Sequence, residues 1–244
     1  MNQNLGMTES RNGTSTEYTT KADVLCTDAF TEHQNGNLNA AAALYREAVK
    51  VDPSLINAWR NLGALLRQNG KPDEARYCTE QALKIDSSDG SLWGNYGNVL
   101  RDQGNIEASC KAFQEGLERT PNSLGLLQGL VISMGKLGQH KQVIDLLTPI
   151  VDKELNERKY NGDNKIPELF LELGNAHHSV GELNHALERW QEGIKGAKEE
   201  KGLFMGLNIA QVLCAQKRFD EARRLCEDLV VQYPQNENLA YARG

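Results

Sequence analysis

The chain has 244 residues, 39% of them hydrophobic and 25% charged, with a net charge of −6 at pH 7. That length can bury a core, but no stretch approaches the ~18 apolar residues of a membrane span and the polar start Met1-Asn2-Gln3-Asn4-Leu5-Gly6 is not a signal peptide, so a cytoplasmic protein is expected. The acidic balance argues against a nucleic-acid partner, which would need a basic face, and five cysteines without a CxxC spacing argue for small buried thiols over a disulfide framework or zinc site.

Residues 1–21 are rich in Asn, Thr, Ser and Gly, have little to bury, and are predicted to be disordered. From Ala22 the chain repeats itself. Ala58-Trp59-Arg60-Asn61-Leu62-Gly63, Leu92-Trp93-Gly94-Asn95-Tyr96-Gly97 and Leu169-Phe170-Leu171-Glu172-Leu173-Gly174 align, and the two tryptophans lie 34 residues apart. That frame predicts units over 22–55, 56–89, 90–123 and 124–157. After an insertion around 152–166 it predicts two more, over 167–200 and 203–236.

Each unit carries two helical stretches, with apolar residues at i, i+3, i+4 and i+7 such as Leu62, Leu65 and Leu66, then Ala75, Cys78 and Ala82. The fifteenth place reads Gly36, Gly70, Gly104, Gly138, Gly181 and then Lys217. Glycine there ends the first helix, because it takes a left-handed conformation without a side-chain clash. Small residues hold the eighth place (Ala29, Gly63, Gly97, Gly174, Ala210) and the twentieth (Ala41, Ala75, Ser109, Ala186, Ala222), which lets paired helices approach closely. Pro53, Pro121 and Pro234 at the thirty-second place end second helices. The fourth unit has Val131, Val143 and Ile150 where smaller residues are usual, so its helices are expected to pack further apart. The charged insertion after it reads as an overlong second helix ending in a turn at Asn161-Gly162-Asp163. An arm that contacts a partner is the competing reading. Residues 237–244 begin a seventh unit and stop within its first helix, with no polar cap, which leads us to expect a longer parent protein.

The order W-x2-L-G, then G, then A, then P, at a period of 34, resembles the tetratricopeptide repeat (TPR) family, and does so from Ala22 to Asn236. The resemblance implies an all-α fold: an α-solenoid, a right-handed superhelix of six TPR helix pairs plus a partial seventh. It also implies a protein-protein interaction scaffold that takes an extended peptide or partner protein in its concave groove.

In such a stack the first helices line the concave face, with places 2, 5, 6, 9, 12 and 13 turned inward. The second and third units then present Asn57, Arg60, Asn61 and Arg67, followed by Asn95, Asn98 and Arg101, with Asp102 as the one carboxylate. Amides can bond both donor and acceptor of a peptide backbone, and arginines can fork onto carboxylates. The fifth and sixth units contribute Asn175, Asn208 and Gln211 amid Glu168, Leu171, Glu172, His178, Phe204, Leu207 and Cys214, a more apolar and acidic stretch. A ligand spanning both halves is expected to be acidic or C-terminal at one end and apolar at the other. The sixth-place asparagines Asn61, Asn95 and Asn208 resemble the asparagine ladder of O-GlcNAc transferases and related bacterial glycosyltransferases, while Thr27, Gly129 and Glu172 depart from it. The lysine and asparagine pairs of the chaperone-binding carboxylate clamp are not reproduced.

No Walker loop, GxGxxG, GxSxG or HExxH motif is present, and neither catalysis nor a cofactor is expected. His177, His178 and His185 invite a metal hypothesis, but adjacent helical residues diverge by about 100° and His177 falls at a core place, so no metal site is expected either. Two readings stand: a freestanding adaptor for extended peptides, and the substrate-recognition arm of a larger glycosyltransferase whose catalytic domain lies outside this chain. Homo-oligomerisation through a convex or terminal face is compatible with both.

Overall fold

The computed structural model describes residues 20–161, 166–195, 197 and 199–233. Of the segment 1–21 expected to be disordered, residues 1–19 lie outside the described residues, as do Gly162-Asp163 of the expected turn, Pro234 and the start of a seventh unit at 237–244. The expectation is corrected at its end, where Thr20 caps α1 through a capping box with Asp23 and Lys21 begins the helix. Among the described residues the chain is entirely helical, in six hairpins: α1 Lys21–Gln34 with α2 Leu38–Val51, α3 Ile56–Gln68 with α4 Pro72–Ile85, α5 Gly90–Asp102 with α6 Ile106–Arg119, α7 Leu124–Lys136 with α8 His140–Asn161, α9 Pro167–Ser179 with α10 Leu183–Ile194, and α11 Glu199–Ala215 with α12 Phe219–Gln232. None of these helices is long and apolar enough to cross a membrane.

The hairpin corners follow from one backbone device. Gly36, Gly70, Gly104, Gly138 and Gly181 have φ of +80°, +69°, +80°, +73° and +85°, and Lys217 matches them at +61°. The next amide in each case reaches back five residues to close the helix end, as from Asn37 to Glu32, Asn105 to Leu100, Glu182 to His177 and Arg218 to Leu213, at 2.8 to 2.9 Å. This is the Schellman bond, which satisfies a carbonyl that the helix itself leaves open. The glycine column is therefore a column of chain reversals.

Pairing within a hairpin depends on small residues facing large ones. Ala41, Ala75 and Ala186 are fully buried, and a Cβ on Gly174 would fall 2.3 Å from the indole nitrogen of Trp190. Stacking between hairpins has its own repeated bond. Trp59 Nε1 donates to Pro53 O at 2.8 Å and Trp93 Nε1 to Ser87 O at 2.9 Å. Both acceptors occupy the thirty-second place of the preceding unit, so each tryptophan fastens its helix to the loop that delivers it.

Successive first helices touch one another from α3 to α5, α7, α9 and α11, whereas second helices do not make comparable contact with the next second helix. The inner layer is therefore the layer of first helices, and the stack curves around it.

The fourth hairpin is different. Its helices α7 and α8 touch far less extensively than those of the other hairpins, as the larger Val131, Val143 and Ile150 lead one to expect. Helix α8 also runs 22 residues and contains Pro149, whereas Pro53 and Pro121 follow helix ends and Pro72 and Pro167 open α4 and α9, the places where a residue without an amide hydrogen is tolerated. Past the proline, Asp152 accepts a hydrogen bond from Arg189 of α10 at 2.9 Å, which docks the extended part on the next hairpin. One expectation is corrected here. Of the five cysteines only Cys78 and Cys110 are buried, while Cys26 and Cys226 are half-buried and Cys214 is exposed, because Cys214 holds the twelfth place, which faces the groove.

Candidate peptide-binding groove

The concave wall is built from the inward faces of α3, α5, α7, α9 and α11. Asn57, Arg67 and Gln211 are exposed on it, and Arg60, Asn61, Asn95, Asn98, Arg101, Asn175 and Asn208 are half-buried. All ten expected residues therefore keep some solvent-exposed surface, but several are already engaged with neighbours.

Arg60 donates to Asn57 Oδ1 and lies 3.7 Å from Asp89 Oδ2. Arg67 Nε donates to Asp102 Oδ2 at 2.6 Å. The arginine patch thus holds two carboxylates rather than one, which leaves it far less cationic than its sequence implies. Asp89 escaped notice because it is the N-cap of α5, where its side chain accepts from Ser91 N at 2.8 Å; the boundary column of the repeat, not the groove columns, carried that signal. Arg101 donates to Asn98 Oδ1 at 2.6 Å and to Gly129 O at 3.2 Å, with its guanidinium 5.5 Å from the Phe113 ring centroid. Burial pulls its pKa below the usual guanidinium value, with Asp102 and Glu172 opposing that shift.

The amides divide in the same way. Asn61 Nδ2 points to the Tyr45 hydroxyl at 3.3 Å, and Asn208 Nδ2 to Asn175 Oδ1 at 3.2 Å. At the sixth place of the fourth unit there is no amide, and the packing says why: a Cβ on Gly129 would lie 2.3 Å from the Phe113 ring. The side chain of the preceding hairpin fills the space an asparagine would need.

With Gly135 bare and α7 in sparse contact with α8, a recess of about 350 Å³ opens between α7, α8 and α9, lined in part by Ile132, Lys136, Glu172, Asn175 and Ser179. Burial pushes the Glu172 carboxyl above its ordinary pKa, against the opposing hydrogen bond from Asn175 and the charge of Arg101. Beyond it the groove turns apolar. Phe204 is 53% exposed and Leu207 is 37% exposed on α11, and Leu171 of α9 is half-buried. Large apolar side chains held open to solvent on a concave face are the groove's clearest unmet surface.

The description "Tetratricopeptide repeat" matches residues 56–89 and 88–232, and "TPR repeat" matches 31–70. No curated protein gives a match. Among solved structures the chain is similar to PilW, a widely conserved type IV pilus biogenesis factor, at 20% identity over 91% of this chain and 98% of that one, with a TM-score of 0.66. It is also similar to PilF of Pseudomonas aeruginosa, at 19% identity over 91% and 96%, TM-score 0.64, and to a chain of the APC/C hetero-tetramer Cut9-Hcn1, at 15% identity over 90% and 41%, TM-score 0.66. At such identities these likenesses speak for the fold.

Proposed function

The chain belongs to the tetratricopeptide repeat family, and from that premise we propose that it is a non-catalytic scaffold that holds an extended peptide of a partner protein along its concave wall. The observation that carries this reading is the run of first helices in contact from α3 to α11, which carry partly or fully exposed amides and arginines on α3 and α5 and the open Phe204 and Leu207 on α11. Because Asp89 and Asp102 offset Arg60 and Arg67, the apolar end supplies most of the affinity, and the arginine end orients the ligand by offering a fork to a carboxylate.

Selection of displayed random peptides against the purified chain tests the proposal. Peptides with an apolar anchor displaced along the strand from an acidic residue or free C-terminus are expected to be enriched. Phe204→Ser with Leu207→Ser abolishes their binding. Arg60→Ala with Arg67→Ala weakens it with little change in melting temperature, since exposed ion pairs are each worth only ~0–1 kcal/mol. Failure to enrich any peptide, or binding indifferent to both double variants, would sink the reading.

The half-buried Asn61, Asn95 and Asn208 favour a second reading, in which the wall is the substrate-recognition arm of a larger glycosyltransferase. An amide ladder bonds peptide backbone, so that reading expects scrambled peptides to bind as well as the selected ones. The adaptor reading expects scrambling to abolish binding.

A further inference from the structure

The corner between α9 and α10 gathers three side chains that the groove does not use. His177 lies in the last turn of α9 and is 6% exposed. Gly181 then reverses the chain in the left-handed conformation, Glu182 caps α10, and His185 follows in its first turn. His177 Nδ1 lies 2.6 Å from Glu182 Oε2, and His185 Nδ1 lies 3.8 Å from the same oxygen. One ligand atom from each residue falls within 4.8 Å of the others, and the two imidazoles are stacked at 5.2 Å between centroids with 28° between planes.

We propose that His177, Glu182 and His185 form a binding site for a divalent transition-metal ion of the zinc class. An ion held tetrahedrally by nitrogen and oxygen at about 2.0–2.1 Å needs its ligand atoms about 3.3 Å apart. Glu182 Oε2 lies 2.6 and 3.8 Å from the two nitrogens, and all three ligand atoms fall within 4.8 Å of one another, so the site closes on an ion by small side-chain rotations. The adjustment falls on the two side chains free to make it, since Glu182 and His185 are exposed while His177 is fixed by burial. The ring of His177 turns Nδ1 to the carboxylate, and among the described residues no group pairs with its buried Nε2, so the ring's hydrogen bond is directed into the corner. Two imidazoles and a carboxylate suit zinc and its neighbours rather than magnesium or calcium, which prefer all-oxygen shells. Three protein ligands leave the fourth position to water.

This ligand set is not the one that the sequence brings to mind. His178 leaves the cluster, with its ring 5.8 Å from Trp190, and Glu182 takes the third place. Bound there, the ion ties the end of α9 to the start of α10 and so staples the fifth hairpin, adding folding stability as any ligand of the native state does.

The test uses untagged full-length protein stripped with a chelator. Titration with Co²⁺ is expected to give visible d–d absorption that saturates at one equivalent and is displaced by Zn²⁺. Zn²⁺, but not Mg²⁺, raises the melting temperature by a few degrees. His185→Asn and Glu182→Gln each weaken binding by about tenfold or more and remove the thermal shift, and the exposed His185→Asn leaves the metal-free melting temperature close to wild type. Absence of the Co²⁺ absorption overturns the proposal. Absorption or a thermal shift retained in His185→Asn also overturns it, because the ion would then sit elsewhere, and so does an equal shift with Mg²⁺.

Discussion

Glu172 stands where three other units place an asparagine, and a half-buried carboxyl is the costlier choice. Burial disfavours its charged form, so its pKa in the folded chain lies above the ordinary 4.5. The native state then holds this proton more tightly than the unfolded chain does. The linked stability is present at low pH and is lost as pH rises through the raised value. Glu172→Gln removes the ionisation and keeps an amide able to meet Asn175. Its melting temperature is expected to exceed that of wild type at pH 7, with the advantage shrinking as pH falls and vanishing below about 4.5. An advantage that persists at acid pH would place the effect in packing. That places 2, 5, 6, 9, 12 and 13 share one helix face was legible in the sequence, because helical geometry alone turns them together. The engagement of each side chain was not, since Asn61 with Tyr45 and Arg60 with Asp89 join different helices. Gly129 is the sharpest case: it read as a gap in a ladder, and it is glycine because Phe113 occupies its neighbourhood.

At the level of helices and corners, the repeat places each chain reversal, because a left-handed residue in a fixed column has a local cause. Lys217 is the exception, at φ +61°. A non-glycine residue in that conformation costs roughly 1–2 kcal/mol, partly recovered by the smaller backbone entropy it loses on folding. Lys217→Gly is therefore expected to stabilise the sixth hairpin by about 1 kcal/mol, measured by chemical denaturation. The converse change, Gly104→Ala, is expected to cost a similar amount, and it isolates the backbone effect because a Cβ there meets nothing within 4 Å. If both substitutions were neutral, the corner would be held by its contacts rather than by its conformation. Helix ends were less legible where tertiary contacts intervene. Pro149 would mark a helix end by local rules, yet α8 continues past it and its far part docks on α10 through Asp152 and Arg189.

For the whole molecule, a solenoid has no single core. Each hairpin touches only its neighbours, and stability is a sum of unit and interface contributions passed along the stack. Cooperative unfolding therefore requires every junction to be strong enough to carry the transition. The fourth hairpin is the weakest in this respect, because α7 and α8 meet sparsely and a recess of about 350 Å³ lies along their seam with α9. The three tryptophans lie on either side of it: Trp59 and Trp93 before it, Trp190 after it. A Trp190→Phe variant reports on the first three hairpins by fluorescence, and a Trp59→Phe, Trp93→Phe variant reports on the fifth. Their urea midpoints are expected to differ, while circular dichroism of each variant follows a broader transition that spans both. Filling the seam tests the cause directly. Gly135, on α7 at the recess, has open space where a Cβ would go, so Gly135→Leu, which adds apolar contact across the seam, is expected to draw the two midpoints together. Coincident midpoints in the parent variants would mean that the contacts of α6 with α7 and of α8 with α9 already transmit unfolding through the sparse hairpin. The chain would then behave as one cooperative unit despite its linear construction.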